Sequence, residues 1–135
     1  MAFLSVRLAS IIALSIMGAI LLFHVLVIGG VLPKTIVWGG QFSDPAQIIR
    51  MEIVSIVILL LAAAIFMMRW RTIAAGDASL IWLIGIWALV GLFALNTVGN
   101  LFAKAVFERA VMTPLTLVLA LLALRLALEK VAGNG

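Results

Sequence analysis

The chain has 135 residues, of which 67% are hydrophobic and only 10% charged, with a formal net charge of +4 and a mean hydropathy of +1.38. A water-soluble domain is excluded, because so few polar side chains cannot cover its surface. There is no Cys and a single His, so disulfide frameworks, thiol catalysis and multi-histidine metal or haem sites are excluded, and no cofactor or metal is expected.

The apolar residues run in long blocks, so lipid is the solvent. Only helices and closed barrels satisfy their backbone there. A barrel strand alternates over about ten residues, whereas these blocks are longer and rich in Leu, Ala and Met. The expectation is one all-α integral membrane domain over 1–135, a four-transmembrane-helix bundle with helices near 6–31, 46–68, 78–104 and 113–130.

The first block, Leu8 to Ile28, has 21 residues. Secretory signals carry apolar runs of roughly 7–15 residues, so this one reads as a retained span. Pro33 is expected to end it, since the residue before a proline disfavours the helical conformation. A loop with Trp38-Gly39-Gly40 follows. Ser43-Asp44-Pro45 then opens the second helix, with a capping side chain and a proline in the first turn. Arg69-Trp70-Arg71 reads as its headgroup anchor.

The third helix is apolar from Leu80 to Leu95 and then turns polar, with Asn96, Asn100, Lys104 and Glu108 recurring every four residues. Four residues turn a helix by about 400°, so these side chains form one slanted stripe. Thr113-Pro114 is expected to restart a helix, with Thr as cap. Arg125 lies near enough to that helix's end to snorkel. Ser5, Ser10 and Ser15 keep no common face and receive no role.

Four crossings bring both termini to one side, called here the terminal side, together with the second loop. It carries Arg7, Arg69, Arg71, Arg125 and Lys130. The distal side carries Lys34, Arg50, Lys104 and Arg109. This small excess places the termini in the cytoplasm by the positive-inside rule, with dual insertion left open. The pI near 10.8 reflects basic residues at segment ends, which points to lipid headgroups rather than nucleic acid.

The polar residues converge on the distal half. His24 comes from the first helix, Arg50, Glu52 and Ser55 from the second, the stripe from the third, and Thr113 and Thr116 from the fourth. Polar groups at this depth need partners. Glu52 cannot face Arg50 two residues away, so His24, Asn100 or Lys104 on another helix is its expected partner. The candidate ligand-binding set is His24, Trp38, Glu52, Ser55, Asn96, Asn100 and Lys104, expected to form one inward network. Each also has a structural reading: the amides as interhelical glue, Trp38 as an interfacial anchor, and Arg50 and Glu52 as helix-end charges.

The segments Val37-Trp38-Gly39-Gly40, Glu52 with Ser55, Asn96-Thr97-Val98-Gly99-Asn100 and Pro114-Leu115-Thr116 together resemble a group of small, functionally unassigned bacterial membrane proteins with four helices. The resemblance covers most of the chain. It implies a bacterial inner-membrane location and directs attention to the distal side, but transfers no activity. Small multidrug transporters differ in carrying a carboxylate in the middle of their first helix. Fluoride channels share four helices but surround their Asn with a Gly/Thr-rich pattern missing here.

Three functions are weighed, the weakest being a membrane enzyme acting on lipid at the interface. The first is a transporter or channel-like protein binding a polar solute, ion or lipid headgroup at the distal cluster. The alternative is a non-catalytic subunit or assembly factor of a larger membrane complex, with the cluster as glue. No nucleophile–base pair or metal set marks an enzyme. The partners expected are membrane lipids, with a homo-oligomer (an antiparallel dimer if insertion is dual) or a larger complex.

Overall fold

The computed structural model describes residues 3–33 and 44–131. Among these, four helices are long and apolar enough to cross a membrane, and the fold is an all-α four-transmembrane-helix bundle. Trp38, with the rest of the first loop, lies outside the described residues.

Helix α1 spans Val6–Ile28. Ser5 caps it, its Oγ accepting from the Leu8 N–H at 3.1 Å. The helix stops before Pro33 has any say. Gly30 adopts φ +78°, the Gly30 N–H donates to the Val27 carbonyl at 3.2 Å, and the Val31 N–H donates to the Leu26 carbonyl at 3.0 Å. This is the paired closure of a Schellman motif. A left-handed glycine thus ends α1 at Ile28, three residues short of the expected 31.

Helix α2, Pro45–Ala75, is the longest at 31 residues, about 46 Å at 1.5 Å per residue. Asp44 caps it as expected, accepting from the Ala46 N–H at 3.1 Å, with Pro45 in the first turn. It runs well past the expected end at 68 and closes on Gly76, at φ +69°. There the Asp77 N–H donates to the Thr72 carbonyl at 2.8 Å. Arg69 is therefore no terminal anchor; it sits inside the helix and is fully buried.

Helix α3 covers Leu80–Leu101, shorter than the expected 78–104. Lys104 and Glu108 thus leave the helical stripe, and only Asn96 and Asn100 keep its four-residue spacing. A π turn at Glu108–Met112 leads into α4, Thr113–Leu128. Thr113 is not a cap. It is itself helical, and its N–H donates to the Glu108 carbonyl five residues back, joined by its own hydroxyl at 3.3 Å. Pro114 accounts for the widening: it has no N–H to continue the normal ladder, and its ring crowds the carbonyl four residues earlier.

In the bundle, α1 packs against α2 and α4, and α3 against α2 and α4, with a slight α2–α4 contact across the middle. The core joins Ala9, Ala13, Met17, Phe66, Ile86, Leu119 and Leu126 from all four helices. Phe66 is 0% exposed, while Leu22, Leu61 and Ile84 on outer faces are 58–60% exposed, as surfaces facing acyl chains would be. Arg125 Nε donates to the Leu4 carbonyl at 2.6 Å, so the two ends of the described chain meet on the terminal side.

Candidate functional site

Helices α1 and α2 run antiparallel, and this sets His24 opposite Glu52. His24 Nδ1 lies 2.5 Å from Glu52 Oε2, with the two side chains 13% and 1% exposed. Glu52 is thus paired, and of its three expected partners the structure selects His24. A carboxylate withdrawn from water is costly to hold alone. The imidazole and the carboxyl group share one hydrogen bond, which joins α1 to α2.

A second polar cluster joins α3 to α4. The Thr97 hydroxyl lies 3.0 Å from the Thr116 hydroxyl, and Asn100 Nδ2 donates to Thr116 Oγ1 at 3.4 Å. Each hydroxyl, with one hydrogen to give, also lies within reach of a carbonyl one turn back in its own helix, Phe93 at 2.8 Å and Met112 at 2.9 Å, so one hydroxyl donates to its partner while the other donates to its carbonyl. Thr116 itself is buried. The sequence marks Thr97 only by its place in the segment Asn96-Thr97-Val98-Gly99-Asn100.

Between the two clusters lies a cavity of about 520 Å³, with His24, Glu52, Ser55, Asn96, Asn100, Lys104, Glu108 and Thr116 in its lining. Six of the seven residues selected from the sequence therefore share one cavity wall. They do not form the single expected network: among the described residues His24 bonds to Glu52 and Asn100 joins the second cluster, while Ser55, Asn96 and Lys104 bond to neither. Asn96 is exposed and Asn100 half-buried, so the stripe turns from the wall of the cavity toward its outside. Much of the remaining lining is apolar, including Ile20, Leu59, Leu92 and Leu119.

The stacked rings of Phe23 and Phe107, 4.9 Å apart between centroids and inclined by 17°, close the edge where α1 meets the chain entering α4. The Phe23 ring also meets the His24 ring edge-on, at 5.5 Å and 65°. Such a contact limits the imidazole's rotation and helps hold Nδ1 toward Glu52. Among the described residues, no group of three or more His, Cys, Asp or Glu side chains is arranged to hold a metal ion.

The terminal side holds a different polar feature. Arg69 Nε donates to the Leu126 carbonyl at 3.2 Å, and an Nη donates to the Glu129 carbonyl at 3.0 Å. Its guanidinium thus caps the C-terminal end of α4, where free carbonyls and the helix dipole favour a cation. Arg125 does not simply snorkel: it grips Leu4 and also pairs with Glu129 Oε2 at 2.6 Å. These contacts lock the terminal side, while the cavity occupies the distal half. No protein-family model, curated protein or solved structure matches the chain.

Proposed function

We propose that this membrane protein is a small carrier or channel-like protein whose distal cavity binds a polar solute, an ion or a lipid headgroup. The observation that carries the reading is the buried His24–Glu52 pair on the wall of a cavity bordered by all four helices. Concave sites of roughly 300–1,000 Å³ with a few convergent polar groups are the usual form of small-molecule sites. Ionisable groups within membrane spans are costly and mark solute or proton pathways. A pair needed only as glue would require no space beside it.

Glu52→Gln tests the reading, because it preserves shape and an acceptor for His24 while removing the carboxylate. The purified protein is screened by thermal shift against inorganic cations, amines, amides and polyols. Proton movement is then followed in vesicles with a pH-sensitive dye. The expected result is a wild-type response to one of these classes, or a proton flux, that is lost in Glu52→Gln while the melting temperature holds. A melting temperature that falls sharply in Glu52→Gln, with no response in the wild type, overturns the reading and leaves the pair as an internal brace. That brace would suit a subunit or assembly factor.

A further inference from the structure

The cavity's four edges are not alike. His24 and Glu52 tie α1 to α2. Asn100 and Thr97 tie α3 to α4 through Thr116. The Phe23–Phe107 stack joins α1 to the segment that leads into α4. The edge between α2 and α3 is different. These helices approach closely near the terminal side, where Gly85 leaves room for Ile65 and an added Cβ would lie 3.1 Å from its Cγ2. Toward the distal side α3 buries nothing beyond Phe93; its buried residues are Ile86, Leu89 and Phe93. Ile58 and Leu95 both line the cavity, yet they are 42% and 74% exposed.

The opening also lies at hydrocarbon depth. Ile58 stands about 20 Å along α2 from Pro45, and Leu95 about 22 Å along α3 from Leu80, in a bilayer core of about 30 Å. From this geometry we infer that the cavity is loaded sideways from the lipid, through the α2–α3 gap, by a single-chain amphipath with an uncharged hydrogen-bonding head. This inference rests on the binding role proposed for the cavity and names its ligand class.

The chemistry of the wall supports each part of that description. The apolar lining, Ile58, Leu59, Leu92 and Leu95 among it, suits an alkyl or prenyl chain. Ser55, Asn96 and Asn100 offer neutral donors and acceptors to a hydroxyl or carbonyl. A head entering from hydrocarbon must shed its water first, a far smaller cost for a hydroxyl than for an ion. The charged groups on the wall are of both signs, Glu52 beside His24, Glu108 and Lys104, so a head of either sign meets a like charge there.

The test is photolabelling of the full chain in phosphatidylcholine vesicles with three dodecyl probes, each bearing a diazirine near its head: the alcohol, the carboxylate and the amine. The alcohol is expected to label the peptides of Ser55, Asn96 and Asn100 severalfold more than those of the outward-facing Leu22 and Leu121, and more than either charged probe does. Ile58→Trp combined with Leu95→Trp, both on exposed positions that tolerate bulk, should abolish cavity labelling and spare the outer faces. Leu61→Trp with Leu121→Trp serves as control and should change nothing inside.

Stronger cavity labelling by the carboxylate or amine overturns the uncharged head. Cavity labelling unaffected by the Ile58 and Leu95 pair overturns the sideways route. Labelling no greater in the cavity than on the outer faces overturns the amphipath altogether. In that last case a Glu52-dependent thermal shift with a water-soluble compound would leave the cavity standing as a binding site, and its absence would remove both readings together.

Discussion

Arg69 heads the fully buried side chains by size, in a region where a charge is expensive. Its burial is intelligible from what it caps. The carbonyls of Leu126 and Glu129 lie at the end of α4, where the helix supplies no donors and lipid supplies no water. Arg69→Met should therefore lower the melting temperature in detergent, since each carbonyl left buried without a donor costs about 1–3 kcal/mol. Arg69→Lys should recover only part of this, because an ammonium cannot reproduce the planar fork that reaches two acceptors. Arg71→Met, at an exposed position two residues on, should leave melting unchanged. Equal effects at 69 and 71 would contradict the capping role. His24 and Glu52 form a pair of another kind: they hydrogen-bond each other beside open space, which is why they, and not Arg69, are the candidates for binding.

At the scale of the helices, the ends are set by backbone chemistry more than by hydropathy. Both α1 and α2 close on a glycine with positive φ, Gly30 and Gly76. A side chain in that conformation costs roughly 1–2 kcal/mol. Gly76→Ala should thus destabilise the protein by about that amount, although nothing lies within 4 Å of the added Cβ. Gly91→Ala, inside α3 and equally unobstructed, should instead stabilise by about 0.5–1 kcal/mol, because alanine loses less entropy in a helix. Thermal melting of the two variants in one detergent checks the contrast in sign. These ends were partly legible in advance. Asp44-Pro45 carries a local signal and falls where expected. Gly29-Gly30 and Gly76 were equally visible in the sequence, but Pro33 and the Arg69-Trp70-Arg71 cluster offered competing stops, and the glycines won because their φ closes the last carbonyls.

For the molecule as a whole, the contact between Arg125 and Leu4 puts both ends of the described chain on one side. The absence of native Cys makes labelling clean. Cysteines placed at Phe3 and Lys130 should respond alike to a membrane-impermeant maleimide in intact cells, and a cysteine at Asp44 should respond in the opposite way. Opposite responses at Phe3 and Lys130 would rule out an even number of crossings. The side that faces the cytoplasm is a separate matter. With five Lys and Arg on the terminal side against four on the distal side, two or three Lys added near Gln41 should redirect insertion, because such loop charges can flip a topology. Reporters that keep one orientation through those additions would show that packing or a partner fixes it.

The helical class and the four apolar spans could be read from the residues alone. Each follows from composition and from backbone hydrogen bonding, which act without regard to which helix touches which. Packing settled that Glu52 meets His24 rather than Lys104 or Asn100, that Arg69 turns inward, and that Asn96 stands at the cavity's outer edge. The reason is that a bilayer erases the usual clue. In water an apolar stripe tells which face of a helix is buried, but in lipid the inner and outer faces are both apolar, and association rests on packing and a few interhelical hydrogen bonds. Helix rotation is then set by fits such as Gly85 against Ile65, which exist only once the helices are together.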